Sequence, residues 1–261
     1  MMNKINRVLI IAKTQYTNYL RYPENSLGYV IYIGTILFMG LSLQLVGGSN
    51  AEIIFGAKPL VYYTISLFLF TLIGNQNSSA LAFSIWRLDI LSKPLDPELF
   101  LLGNYLGSLL SNIPPSIFLL ILSLIIAFPS LTTSEIAFLV ILFLLSILAS
   151  IAVSYFFAGI GLTTTPQGYL YTSITLLLTI FVGIIIPVSM IPFPLKLISY
   201  FIPYTWAIDC FRGLFLKTQT ILPIESEILI LLISTPIMLL IGRFYLFYKL
   251  NVIRSKKVVI R

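Results

Sequence analysis

Residues 136–162 read IAFLVILFLLSILASIAVSYFFAGIGL. The stretch carries no charge, no proline and no amide side chain, and Leu, Ile, Val, Phe and Ala fill most of it. A helix rises about 1.5 Å per residue and the hydrocarbon core of a bilayer is about 30 Å thick, so roughly 20 apolar residues are enough to cross it. In lipid the backbone must satisfy its own N–H and C=O groups, which a helix does. The segment therefore reads as a transmembrane helix, and it fixes lipid as the solvent in which the rest of the chain is to be read.

Five more segments of the same kind lie on either side. They run over about 27–46, 60–85 (after Pro59), 103–128, 169–190 and 226–248, so 136–162 is the fourth of six spans. The composition agrees: the 261 residues are 58% hydrophobic and 10% charged, with a mean hydropathy of +1.01, whereas a soluble domain is about a quarter charged. The expected fold is all-α and polytopic, a single transmembrane domain over 1–261, with a six-span bundle at 27–248 and a basic tail at 249–261. Pro114 and Pro115 interrupt the third span and are expected to kink it.

Ahead of the first span, residues 4–22 place Ile5, Leu9, Ala12, Tyr16 and Tyr19 at intervals of three and four, with Lys4, Arg7, Lys13 and Arg21 around them. That spacing predicts an amphipathic helix lying at the membrane interface, closed by Pro23. The run Val8–Ala12 is broken by Lys13 and is too short for a secretory core, so the first long apolar segment is expected to stay as an anchor.

With the N-terminus inside, twelve of the 16 Lys and Arg fall on inner segments and four, Lys58, Lys196, Arg212 and Lys217, on outer ones. This bias puts both termini in the cytoplasm of a multi-pass cell-membrane protein and requires an even number of spans. It also accounts for the net charge of +7 without nucleic acid. Cys210 is the single cysteine, so no internal disulfide forms, and the absence of histidine excludes His-based metal sites and acid–base chemistry. None of the nine carboxylates falls in mid-span and no phosphate-cradling glycine loop is present. No catalytic, cofactor-binding or metal site is expected. An ion-coupled secondary transporter or channel, the alternative, would call for an ionisable group at the bilayer midplane.

Three regions stand out. Asn75, Gln76, Asn77 and Ser78, with Ser79, make a polar run inside span two; it could line a path for a polar substrate or hydrogen-bond between helices. Ser146, Ser150, Ser154 and Ala158 in span four, and Thr172, Thr175, Thr179 and Gly183 in span five, read as stripes for close packing. The inner segment Trp86–Gly103 holds Asp96 before Pro97 and Glu98, which predicts a capped helix start.

That inner segment resembles the cytoplasmic loop between spans two and three of the type 2 class of ATP-binding-cassette (ABC) exporter permeases. Arg87, Leu88-Asp89, Leu91, Pro94-Leu95 and Leu101-Leu102-Gly103 match, while Trp86 and Leu88 flank the arginine where an acid and a glycine are usual. Residues 183–213 are similar to the same family's outer segment, through Gly183, Pro187, Pro192, Leu195, Pro203, Thr205, Asp209 and Arg212. The resemblance implies a permease subunit driven by two copies of a separate ATPase subunit, which uses ATP and Mg while this chain binds no cofactor. It implies a second permease subunit too, making a homodimer or a heterodimer. It makes residues 4–22 and Arg87, Leu88, Asp89, Leu91, Pro94, Leu95, Asp96 and Glu98 the surface coupled to the ATPase. It also implies short outer re-entrant helices between spans five and six, with Pro187, Pro192, Pro203, Thr205, Asp209 and Arg212 at an outer gate or in a structural plug. Asp209 and Arg212, three apart, could pair on a helix for about 0.2–0.5 kcal/mol if exposed.

Overall fold

The computed structural model describes residues 4–21, 23–74, 76–86, 90, 96–163 and 168–258, with side chains at all of these except 23–29, 76–79, 168–172, 175 and 256–258. These residues form helices and no strand. In chain order they are α1 (Lys4–Arg21), α2 (Pro23–Phe55), α3 (Pro59–Ile73), α4 (Gln76–Ile85), α5 (Pro97–Ala127), α6 (Thr133–Gly161), α7 (Gly168–Phe181), α8 (Phe193–Phe201), α9 (Pro203–Leu216) and α10 (Ile224–Val258).

Local chemistry sets the ends. The Asp96 carboxylate accepts the Glu98 N–H at 3.0 Å and Pro97 takes the first helical position, so α5 starts where the sequence predicts a cap, six residues before the expected span. α6 opens on a capping box: Glu135 N–H donates to Thr132 Oγ1 at 3.4 Å and Thr132 N–H to Glu135 Oε2 at 2.8 Å. Two orphan donors are satisfied reciprocally. α5 stops at Phe128 and α9 at Lys217, each with a positive φ (42° and 56°). Within α2, Gly48 (φ 49°) breaks the helix and sends it on to Phe55, well past the expected end at 46.

Four helices among the described residues are long and apolar enough to cross a membrane: Val30–Phe55 of α2, α5, α6 and Ile224–Ser255 of α10. The two other expected spans have a different form. Span two is not continuous over 60–85; it is divided into α3 and α4, with Gly74 at the end of the first. Span five is helical only to Phe181 rather than 190, so at about 1.5 Å per residue α7 covers about 21 Å. The sixth runs on as helix to Val258, through much of what the sequence gives as a tail.

The helices form two packs. In one, α1 lies along the start of α5, and α3 packs between α5 and α2. In the other, α6 carries α10 on one side and α4 on another, and α9 joins α6 to α10. α9 also touches α3, which links the packs at the end where α3 and α10 begin. The expected stripe on α6 is buried throughout, at Ser146, Ser150, Ser154 and Ala158. Of the span-five stripe, Thr172 and Thr175 lie outside the described side chains, Thr179 is buried, and Gly183 falls beyond the helix at φ 82°.

Candidate functional site

At the end where α5 begins, α1 is laid on α5 by two glycines. A Cβ at Gly103 would come within 2.6 Å of the Ile11 side chain, and one at Gly107 within 2.6 Å of Gln15 Cβ and 2.8 Å of the Ala12 carbonyl. The spacing Gly-x-x-x-Gly allows backbones to approach closely. The face of α1 on α5 runs through Val8, Ile11, Ala12 and Gln15, of which Ala12 is buried as expected and the others are half-buried; Tyr16 and Tyr19 of the expected face are half-buried as well, while Ile5 and Leu9 are exposed on this chain. Gly107→Leu is expected to lift α1 from α5, at the cost of about 1–3 kcal/mol typical of overpacking. Limited proteolysis reads this as earlier cleavage within 4–21.

Next to that contact, Arg243 Nε of α10 donates to Glu98 Oε1 at 2.6 Å, and its guanidinium lies 5.8 Å from the Phe247 ring centroid. The pair is partly exposed and contributes only about 0.2–1 kcal/mol, so it orients α5 against α10 more than it stabilises them. Ile90 is fully buried with Phe83, Phe100, Leu101, Tyr155 and Leu246, and so pins the inner segment to the bundle. It was not among the candidate coupling residues, although its seven-residue spacing from buried Phe83 is two helical turns and could have marked it. Of those candidates, Asp96 and Glu98 act as cap and ion-pair partner; Arg87, Leu88, Asp89, Leu91, Pro94 and Leu95 lie outside the described residues.

The opposite end carries a buried polar network. Arg212 of α9 donates through Nη2 to Asp209 Oδ1 at 2.6 Å and through Nη1 to the Gly183 carbonyl at 2.6 Å and to the Tyr62 hydroxyl. Its guanidinium carbon sits 4.5 Å from the Tyr62 ring centroid. Asp209 Oδ2 accepts the Ile221 N–H at 2.8 Å. Glu227, in the first turn of α10, accepts the next N–H, Leu222, at 2.8 Å and the Cys210 thiol at 3.1 Å. One network thus ties together the start of α3, the chain leaving α7, α9, the 217–223 link and the start of α10.

This corrects the sequence reading of the pair. Asp209 and Arg212 do meet, but Arg212 is only 3% exposed and Glu227 is fully buried beside them. Their environment is a closed interior, not an exposed helix face. Tyr62 and Tyr63 are buried; Tyr62 hydrogen-bonds the Gly183 carbonyl and Tyr63 the Ile185 carbonyl, the latter at 2.8 Å. Glu227 lies in the first turn of α10, whereas Asp209 and Arg212 lie within the short helix α9, Asp209 at its middle. The prolines act as starters. Pro187 and Pro192 precede the 3₁₀ turn Val188–Met190 and α8, and Pro203 takes the first position of α9, where its missing N–H costs nothing. Thr205 is fully buried, with no hydrogen-bond partner at Oγ1 among the described residues.

Asn75 lies outside the described residues. Gln76, Asn77 and Ser78 form the first turn of α4, and their side chains lie outside the description. The polar run is thus at a helix start, where backbone N–H groups lack intrahelical partners, and not in the middle of a continuous span.

Residues 6–216, from α1 to the end of α9, match the ABC-2 type transporter family. The chain belongs to that family. No curated protein matches it as a relative. ABC-2 permeases are membrane components of ABC transporters, are not themselves catalytic, and imply an ATPase partner. The matched range holds the strapped helix α1, the capped start of α5 and the Asp209–Arg212 pair. It stops short of α10, so Arg243 and Glu227 lie outside the matched residues.

Proposed function

We propose that this ABC-2 protein is the permease subunit of an exporter in the cell membrane, driven by a separate ATPase at the α1–α5 end. Six passes are made by α2, α3 with α4, α5, α6, α7 and α10. Both termini face the cytoplasm, the inner loop is 86–96, and α8 and α9 are re-entrant at the outer face. Two permease chains, identical or related, assemble with two ATPases that hydrolyse Mg-ATP.

The observation that carries this reading is the stiff junction at the start of α5. A push on residues 86–96 arrives at a capped helix that is strapped by α1, pinned through Ile90 and ion-paired to α10. A rigid element of this kind converts a small displacement at one end into movement of a whole packed layer. The buried outer network supports the other half of the reading, because it closes the far end with groups that open only together.

Co-purification with the cognate ATPase tests the reading. The full chain is expected to retain the ATPase, and Leu95→Asp to lose it or to lose ATP-dependent transport. If Leu95→Asp and Asp89→Lys both leave assembly and transport unchanged, the coupling surface is elsewhere.

A further inference from the structure

Span two is cut where its neighbours supply the missing hydrogen-bond partners. At the end of α3, the Gly74 N–H turns back to the Phe70 carbonyl at 2.6 Å. The Thr71 carbonyl accepts Asn112 Nδ2 at 2.9 Å, and the Ile73 carbonyl accepts the Ser150 hydroxyl. The Thr71 hydroxyl is bonded to that of Ser116, which also donates to the Asn112 carbonyl at 2.7 Å. A break inside a bilayer persists only where protein or water satisfies the freed groups, and here side chains from two spans do so.

The donors come from different packs. Asn112 and Ser116 sit on α5, which carries α3; Ser150 sits on α6, which carries α4. The bond from Ser150 to Ile73 therefore runs from one pack to the other. Each half of the cut span is fixed elsewhere as well. α3 is held at its start by Tyr62 and Tyr63, and α4 is held by the close approach of Ala80 to Gly161 and by the Phe83–Phe100 contact, with ring centroids 5.3 Å apart.

We propose that the break is a hinge of the transport cycle, with Asn112 and Ser150 as its positioning residues: α4 turns with the α6 pack while α3 stays with α5, and the Phe83–Phe100 and Arg243–Glu98 contacts between the packs shift as it does. The proposal rests on the reading of this chain as a permease driven from its inner end. A continuous helix would bind the two packs as one body; a cut one lets the inner half follow the loop at 86–96. Backbone freed inside a bilayer needs hydrogen-bond partners in every position it takes, and a spare hydroxyl stands where a second position could use it: Ser154, one turn along from Ser150, is buried with no partner among the described residues.

The test uses the full chain reconstituted with its ATPase in a Cys210→Ser background, which keeps a donor for Glu227. Spin labels at Ile117 on α5 and Leu240 on α10, both exposed on this chain, report the distance between the packs. The expected result is a distance distribution that changes on addition of Mg-ATP. In Ser150→Ala and Asn112→Leu the nucleotide-free distribution already differs from the unmutated one. ATP-driven transport falls at least tenfold in these variants while ATP hydrolysis stays within twofold, and Ser150→Thr restores transport. Unchanged distances on ATP addition in a transporting wild-type complex overturn the hinge, as does transport within twofold of wild type in both variants. If no ATPase binds the chain, the permease reading fails by itself. The same labels in the lone chain in nanodiscs then decide the hinge: an altered distribution in Ser150→Ala supports it and an identical one overturns it.

Discussion

Arg212→Leu is expected to give the largest loss of stability of any single change outside the spans. Removing the guanidinium leaves Asp209 buried with the Ile221 N–H and the neighbouring Glu227 carboxyl but no cation, and removes one donor from the Gly183 carbonyl. Deleting one member of a buried ion pair costs about 3–5 kcal/mol, because the other charge stays desolvated and uncompensated. Thermal unfolding in detergent should show a clear drop in Tm, and cysteines placed at 218–220 should become more reactive as the link comes away from Asp209. Arg212→Lys should recover little, since one ammonium on a flexible stem cannot hold Asp209, Tyr62 and the Gly183 carbonyl in a planar fork. The double change Arg212→Leu with Asp209→Leu is expected to be milder than Arg212→Leu alone, because it removes the stranded charge. A single variant with wild-type Tm would show that the network carries no structural load.

Gly161→Leu should have the second largest effect. A Cβ there would run into the backbone of Ala80, so α4 and α6 would have to separate before any side chain could be placed. Overpacking typically costs about 1–3 kcal/mol, occasionally more, and backbone cannot rotate aside as a side chain can. α4 leads directly into the inner loop, so the displacement should also weaken association with the ATPase. The expected readout is lower yield and Tm together with loss of co-purification, whereas Gly161→Ala should be intermediate. Gly34, which has open space around a built Cβ, is the control: Gly34→Ala should leave Tm and assembly unchanged.

The sequence was most legible where the chemistry is local. The Asp96-Pro97-Glu98 cap needs only three adjacent residues, and the structure forms it where expected. The buried serines of α6 recur every four residues, so periodicity alone places them on one face. The Gly103–Gly107 pair was readable as a spacing, but nothing in it names α1 as the partner. Of the expected face of α1, Ala12 packs but Ile5 and Leu9 are exposed, because they are as apolar as the residues that pack.

Lipid as solvent, helical backbone and the positions of the apolar segments were thus fixed by composition and period, because each depends on residues within one or two turns of each other. Where span two is cut, how early span five ends, and which charges are buried were decided by tertiary contacts alone. Asn112 and Ser150 reach Thr71 and Ile73 from 41 and 77 residues away, and Arg212 reaches Tyr62 from 150. A hydrogen-bond donor brought in from another helix can replace the partner a helix loses at a break, and no local pattern records that it is there.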